Sequence, residues 1–168
     1  MASDRVAVCL VGHGMPPKDF PRGRLLEMMQ LENRPSRTPD EEARFKYLQQ
    51  KVASWPRTPD NDPYWRSMTE MAADVRARGG YVDVAIAFNE FCAPTVPEAL
   101  DALAGNGAAS IVVVPAMVNR GGVHAEQDIR QSVDAAKSRY LGIRITYAWP
   151  FDHNDLVDLF CRQIDRFR

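Results

Sequence analysis

The chain has three histidines, and each follows a short apolar run that has the pattern of a buried strand. His13 lies in VGHG directly after the first run, His124 follows NRGG after the third, and His153 follows the fourth. Glu90 comes in the same way after the second run, YVDVAIAFN. Imidazole and carboxylate groups can hold a divalent metal or accept protons near neutral pH. These residue types predict a metal-handling or proton-accepting site.

Glycines lie next to two of the histidines. Gly12 and Gly14 flank His13, and Gly121 and Gly122 precede His124. Glycine lets the backbone turn sharply and lets a bulky ligand approach it closely. This context favours a functional role for His13 and, together with it, for His124.

Less specific interpretations remain open for the neighbouring polar residues. His153 lies in DHND, which is also typical of a helix N-cap. A carboxylate such as Glu90 at a strand end often caps the next helix. Asp128 follows His124 at helical spacing, where it either orients the imidazole or faces solvent.

The elements that position these residues alternate between strand and helix. The strand patterns cover 5–11, 81–88, 109–117 and 143–149, and amphipathic helical patterns cover 97–107, 124–142 and 154–167. This order predicts an α/β fold with a four-stranded parallel sheet and right-handed crossovers. If the strand order is 2-1-3-4, His13 and His124 face each other across the crevice where the order reverses.

The connection between the first two strands, from Met15 to Gly80, is about twice as long as one crossover helix needs. Helical patterns near 23–33, 40–54 and 64–78 lie within it, and eight of the twelve prolines fall between 16 and 63. We therefore expect one domain, 1–168, with a helical insertion at about 15–64 after the first strand.

Composition limits the class of protein. A length of 168 residues suits one domain, and a net charge of −1 gives no general attraction to nucleic acid. Apolar stretches are too short to span a membrane, and the N-terminus lacks the pattern of a signal peptide. The three cysteines are far apart and predict buried free thiols, not disulfides or a zinc site. We expect a cytoplasmic protein with no nucleic-acid or membrane partner.

Three segments together resemble the small CbiX-type sirohydrochlorin chelatases, which are class II chelatases. The segments are VGHG, AFNEFCAPTVPEAL and VVVPAMVNRGGVHAEQDI, and the resemblance covers 5–14 and roughly 81–165. The third segment is the most specific, because it joins an apolar strand, a glycine loop, a histidine and an Asp-Ile pair.

The resemblance implies a chelatase-like fold that inserts Co²⁺, Fe²⁺ or Ni²⁺ into sirohydrochlorin or a related tetrapyrrole without ATP. His13, His124 and Glu90 would act as catalytic and metal-handling residues, and the metal would be a substrate, with no tightly bound cofactor. A chain with one set of four strands resembles the short form, which forms homodimers with the macrocycle near the interface. Such an activity belongs to cobalamin or siroheme biosynthesis.

The tetrapyrrole carries many carboxylates, so we expect an anion-binding rim. Its candidates are the backbone N–H groups of Gly12, Gly14, Gly121 and Gly122 and the side chains of Lys18, Arg22, Arg24 and Arg120. Each of these basic side chains could instead simply be solvated.

The chain departs from the family pattern at Asn89, where an apolar residue is usual, and at Arg130, where proline is common. The insertion is also atypical of the short form and could be a lid, a dimer arm or part of a changed pocket.

Other functions are less consistent with the sequence. A non-catalytic metal or tetrapyrrole carrier is the main alternative, but a carrier needs no proton acceptors. The chain has no G-x-S-x-G for an α/β hydrolase, and GHGMPP lacks the three-glycine fingerprint of a dinucleotide site.

Overall fold

The computed structural model describes residues 5–168, so the first four residues of the N-terminal segment lie outside it. Its strands are β1 (Val6–Gly12), β2 (Asp83–Phe88), β3 (Ser110–Pro115) and β4 (Arg144–Tyr147). All pairings are parallel, in the order β2-β1-β3-β4. The assumed strand order is confirmed, and the α/β fold class with it.

Six α-helices and one π-helical turn connect these strands or follow them within the described residues. They are α1 (Arg22–Glu32), α2 (Pro39–Ala53), α3 (Pro63–Gly79), α4 (Val96–Gly105), a π turn (His124–Asp128), α5 (Ile129–Arg139) and α6 (His153–Asp165). The sequence predicted one continuous helix over 124–142. The structure instead begins this segment with the π turn and ends α5 at Arg139, three residues short of the expected end.

Sequence signals explain where several helices begin. Thr38 and Thr95 each form a capping box with the glutamate three residues later, and proline follows each cap. Asp152 caps α6 by accepting hydrogen bonds from the backbone N–H groups of Asn154 and Asp155. The alternative interpretation of DHND as an N-cap region is therefore confirmed for Asp152.

Three apolar clusters stabilise the described chain. The largest packs α4 and α5 on one face of the sheet, with Ile111, Val113 and Ile129 fully buried. The second packs α3 on the opposite face. The third lies between α1 and α2 and includes Leu48 and Phe45. Because α1 and α2 bury their apolar residues mainly against each other, they form a small helical unit beside the sheet.

Two of the three cysteines are buried, as the sequence predicted, whereas Cys161 is exposed. Burial raises the pKa of Cys9 to about 12 and that of Cys92 to about 11, because desolvation disfavours the thiolate. At pH 8 both thiols therefore stay protonated and unreactive.

We expect a thiol reagent at pH 8 to leave Cys9 and Cys92 unmodified in the folded protein and to modify all three cysteines in guanidinium. Mass spectrometry of the labelled peptides distinguishes the sites. Rapid labelling of Cys9 in the folded protein would contradict the buried position of β1.

No helix among residues 5–168 is long and apolar enough to cross a membrane.

Candidate metal and tetrapyrrole site

The structure brings His13, Glu90 and His124 together at the carboxyl edge of the sheet. Ligand atoms of the three side chains all lie within 4.8 Å of one another. Glu90 lies between the histidines: its Oε2 is 3.8 Å from His13 Nε2, and its Oε1 is 3.5 Å from His124 Nε2. Each side chain is about one-third exposed, so a ligand can reach the cluster from solvent.

The separations suit a single metal ion. Ligand atoms at roughly 2.1 Å from a tetrahedral ion lie on the order of 3.4 Å apart. The Glu90 oxygens lie 3.5 Å and 3.8 Å from the two imidazole nitrogens. Small side-chain movements would therefore bring all three groups into coordinating distance.

Backbone contacts fix His13 in its orientation. Its backbone N–H donates to the hydroxyl of Tyr64 at 2.9 Å, and its Nδ1 lies 2.7 Å from the carbonyl oxygen of Gly14. A carbonyl only accepts hydrogen bonds, so Nδ1 carries the proton of the neutral ring. The lone pair then lies on Nε2, which faces Glu90.

Glu90 follows β2 in a continuation of the β1–β2 pairing. The backbone N–H of Asn89 donates to Gly12 at 3.0 Å, and that of Glu90 donates to His13 at 2.8 Å. Phe91 has a φ of 57°, which ends the extended backbone there. These contacts hold the segments that carry His13 and Glu90 side by side.

Gly14 makes this close approach possible. Its φ is +92°, and a Cβ at this position would lie 1.9 Å from the carbonyl oxygen of Glu90. Any other residue would force apart the loops that carry His13 and Glu90. Gly12 is different, because Tyr64 occupies the space beside it, with its hydroxyl 3.0 Å from an added Cβ.

His124 is the first residue of the π turn, a helical form that often occurs at functional sites. Ala125 is buried below it, and the Tyr147 hydroxyl donates to the Ala125 carbonyl at 2.8 Å. Partial burial raises the pKa of Tyr147 to about 12, so this donor keeps its proton. The hydrogen bond ties the turn to β4.

Two polar neighbours contact the other ring nitrogen of His124. Asp128 Oδ2 and Asn89 Nδ2 each lie 2.7 Å from Nδ1. The carboxylate accepts from a protonated Nδ1, whereas the amide N–H₂ donates to an unprotonated one. Asp128 therefore favours the tautomer that leaves the Nε2 lone pair facing Glu90, and Asn89 favours the opposite tautomer.

Asp128→Asn is expected to lower the activity of the site roughly 10- to 100-fold, as is typical when the partner of a metal-facing histidine is replaced. The amide of the variant can still form a hydrogen bond with His124. It lacks the negative charge with which the carboxylate stabilises a proton on Nδ1. Co²⁺ affinity and turnover of the variant should fall together. Asp134→Asn in α5 is the control, since the Asp134 carboxylate pairs with nearby Lys137. Wild-type affinity in Asp128→Asn would show that Asp128 does not orient the ring.

Two cavities adjoin the cluster. The acidic chamber, of about 720 Å³, lies between the α1–α2 unit and the loops after β2, and its charged lining residues, Glu32, Glu90, Glu98 and Asp128, are all carboxylates. The glycine-side cavity, of about 440 Å³, is lined by His13, His124, Gly122 and the mostly apolar segment 116–119. The two sides of the cluster therefore differ in charge.

The remaining residues predicted for the site lie around it or away from it. Gly121, with a φ of +86°, and exposed Arg120 belong to the loop that borders the glycine-side cavity. Lys18, Arg22 and Arg24 are exposed and line neither cavity. His153 is exposed at the start of α6, outside the metal-ligand cluster.

Sequence reasoning missed two contacts of this site and noticed a third residue without assigning its role. Tyr64 and buried Arg57 lie in the long connection, more than forty residues after His13, and no local pattern links them to it. Asn89 was recognised only as a departure from the family pattern, and its contact with His124 became visible in the structure.

The family model of CbiX matches residues 60–166. The chain belongs to the CbiX family. The match includes Glu90 and His124 but not His13, whose place in the site is given by the geometry above.

Similarity to a curated relative covers only part of both chains. The chain is 41% identical over 68 residues to the sirohydrochlorin cobaltochelatase of Methanopyrus kandleri. The matched segment covers 40% of this chain and 47% of the relative. The chain thus matches about half the length of that relative.

Solved structures share the fold. SirB of Bacillus subtilis subspecies spizizenii, a sirohydrochlorin chelatase in complex with cobalt, aligns with 96% of this chain and 50% of its own, at 21% identity and a TM-score of 0.53. SirB of Bacillus subtilis with Fe³⁺ aligns at 22% identity and a TM-score of 0.54, over 98% of this chain and 48% of its own. A cobalamin (vitamin B12) biosynthesis CbiX protein of Marinobacter aquaeolei VT8 aligns at 17% identity and a TM-score of 0.53, over 96% of this chain and 94% of its own. At these identities, the likeness concerns the fold.

Proposed function

We propose that this protein is a chelatase that inserts a divalent metal, Co²⁺, Fe²⁺ or Ni²⁺, into sirohydrochlorin or a related tetrapyrrole without ATP. The observation that carries the proposal is the cluster of His13, Glu90 and His124, with both Nε2 atoms facing one carboxylate. Membership of the CbiX family supports it, as does the cobaltochelatase activity named for the Methanopyrus kandleri relative.

The cluster has the groups that metallation needs. The macrocycle loses two pyrrole protons as the metal enters, and an imidazole lone pair can accept each of them. Glu90 accepts the incoming cation and balances its charge, as oxygen ligands do for divalent ions. His13 and His124 would hold the metal first. When the metal passes to the macrocycle nitrogens, each freed imidazole lone pair accepts one of the two pyrrole protons, and the metal leaves with the product.

The charge difference between the cavities supports an orientation for the two substrates. A tetrapyrrole with many carboxylates is repelled by the acidic chamber, whereas a divalent cation is attracted to it. We place the macrocycle on the side of the glycine-side cavity, near Arg120 and the backbone of Gly121 and Gly122. The acidic chamber then admits the metal. Gly12, Gly14 and Lys18 stay predictions as substrate-binding residues.

The wider biological setting belongs to the same proposal. We propose a homodimer, a role in cobalamin or siroheme biosynthesis, and a cytoplasmic location, which three free cysteines support. We also propose that residues 1–168 form one chelatase-like domain and that 15–64 is an insertion in it. Its helices α1 and α2 contribute Glu32, Gln49 and Gln50 to the acidic chamber.

An optical assay tests the activity. Protein and sirohydrochlorin are mixed anaerobically with Co²⁺, Ni²⁺ or Fe²⁺, and the macrocycle spectrum is followed against the rate without protein. We expect acceleration with at least one metal. A spectral shift on binding without acceleration would instead indicate a tetrapyrrole carrier, and no response would contradict both functions.

A further inference from the structure

Two side chains compete for the Nδ1 atom of His124. Asn89 Nδ2 and Asp128 Oδ2 each lie 2.7 Å from it. A ring nitrogen of a neutral imidazole either carries a proton and donates, or has a lone pair and accepts. Nδ1 can therefore donate to the carboxylate or accept from the amide, but it cannot do both. One of the two close contacts is unsatisfied in either state.

Asp128 also determines which end of the Asn89 amide faces the imidazole. The amide nitrogen is 3.5 Å from Asp128 Oδ2, so an N–H group lies beside a negative charge. An amide oxygen in the same place would face that carboxylate oxygen with a partial charge of the same sign. The backbone N–H of Asn89 donates to the Gly12 carbonyl at 3.0 Å, which fixes where the side chain begins. Asn89 is thus held as a donor toward Nδ1.

The state of Nδ1 decides what His124 offers to a metal ion. When Nδ1 donates to Asp128, the free lone pair lies on Nε2, which is 3.5 Å from Glu90 Oε1. When Nδ1 accepts from Asn89, Nε2 carries the proton, and no lone pair is left there for a metal. That proton then faces the Glu90 carboxylate, whose charge stabilises this second state. Asn89 therefore favours a ring that cannot act as a ligand.

We propose that Asn89 is a positioning residue that holds part of the His124 population in the tautomer that cannot bind metal, and that it thereby weakens metal retention at the cluster. The proposal rests on the chelatase function proposed above. A chelatase must pass its metal to the macrocycle, and a site that holds the metal too tightly slows that step. In the metal-bound ring Nδ1 carries the proton, so the Asn89 N–H finds no acceptor there and destabilises the bound state.

The expected size of the effect is that of one neutral hydrogen bond. The apparent affinity for a metal falls in proportion to the fraction of protein in the binding-competent state. One such bond shifts a two-state equilibrium by about 2- to 10-fold. Asn89→Leu removes the donor at similar side-chain volume. In anaerobic titrations without tetrapyrrole, the variant should bind Co²⁺ about 2- to 10-fold more tightly than the wild type and release it to EDTA more slowly.

Two controls assign the effect to the imidazole. Asn106→Leu is the matched substitution, because the Asn106 amide pairs with Asp83 at the opposite edge of the sheet, and it should keep the wild-type Co²⁺ affinity. In a His124→Ala background, Asn89→Leu should leave the Co²⁺ affinity unchanged, since no ring remains to compete for. Tighter binding that persists without His124 would show that the leucine acts through packing and would overturn the proposal. Looser or unchanged binding in Asn89→Leu alone would also overturn it.

Nuclear magnetic resonance observes the tautomer directly and does not depend on a variant. The two ring nitrogens of isotope-labelled His124 differ in chemical shift according to which of them carries the proton. In metal-free wild type with neutral rings, we expect a substantial share of His124 with the proton on Nε2. His13 should have it on Nδ1, which lies 2.7 Å from the Gly14 carbonyl oxygen. Asn89→Leu should move the His124 proton to Nδ1. A wild-type His124 protonated wholly on Nδ1 would refute the proposal.

The outcome is separable from that of the proposed function, because Co²⁺ binding and the tautomer are measured without tetrapyrrole. In the insertion assay, Asn89→Leu should lower both the KM for Co²⁺ and kcat, as tighter retention of the metal requires. Tighter Co²⁺ binding by the variant of a protein that does not metallate sirohydrochlorin would support the role of Asn89 and contradict the chelatase. Metal insertion by a wild type whose Asn89→Leu variant binds Co²⁺ no more tightly would do the reverse.

Discussion

His124→Ala and His13→Ala are each expected to lower the rate of metal insertion by roughly 10²- to 10⁴-fold, which is the usual contribution of a positioned acid or base. Each substitution removes one of the two imidazoles whose Nε2 atoms face Glu90. A water molecule that replaced the imidazole would be a much weaker base. It would also lack the contact with Gly14 that orients His13, or the contact with Asp128 that His124 makes. The measurement is the initial rate of the macrocycle spectral change at saturating metal.

The control for both variants is His153→Ala, which removes an exposed imidazole outside the cluster. It should keep the wild-type rate. The unfolding midpoints of His13→Ala and His124→Ala should stay close to that of the wild type, since both side chains are partly exposed. Near wild-type turnover in either variant would refute the assigned roles.

Arg57→Met is expected to destabilise the fold by about 3–5 kcal/mol, the usual cost of breaking a buried ion pair by removing one partner. The Arg57 and Asp62 side chains are 6% and 1% exposed, and their contact distance is 2.8 Å. The substitution leaves the Asp62 carboxylate buried without its cation. Denaturant unfolding measures the loss as a lower midpoint at an unchanged slope.

Arg57 also connects the segments that carry the site. Its guanidinium donates to three backbone carbonyls. That of Met15 lies in the loop after His13, that of Val52 lies in α2, and that of Phe91 directly follows Glu90. We therefore expect Arg57→Met to lower Co²⁺ affinity as well. The matched control is Arg66→Met, which removes an exposed pair with Glu70 and should change neither property. Unchanged stability in Arg57→Met would contradict a buried pair.

The sheet and the meeting of the cluster residues could be predicted from local sequence. Val- and Ile-rich runs such as 109–117 specify buried parallel strands, and the alternation with helices specifies crossovers. Parallel strands bring their carboxyl ends to one edge, so His13, Glu90 and His124 had to emerge there together. Asp128 was placed near His124 by spacing alone.

The support of the site could not be predicted in the same way. Tyr64 and Arg57 act on the loops after β1 and β2 across long sequence separations, and helical or strand periodicity carries no information about such contacts. The π turn at His124 was also missed, since one extra residue in a helical turn hardly changes an amphipathic pattern. The exposure of α6 depends on what it packs against, which its own sequence does not specify.

The most direct test of the account is the titration of metal-free protein with Co²⁺ under anaerobic conditions, followed by visible absorption. The account predicts a Co²⁺ spectrum with nitrogen and oxygen ligands in the wild type. It also predicts a loss of affinity of at least ~10-fold in His13→Ala, His124→Ala and Glu90→Gln, with none in His153→Ala. Equal Co²⁺ affinity in the wild type and all three cluster variants would contradict the claim that these side chains form one metal site.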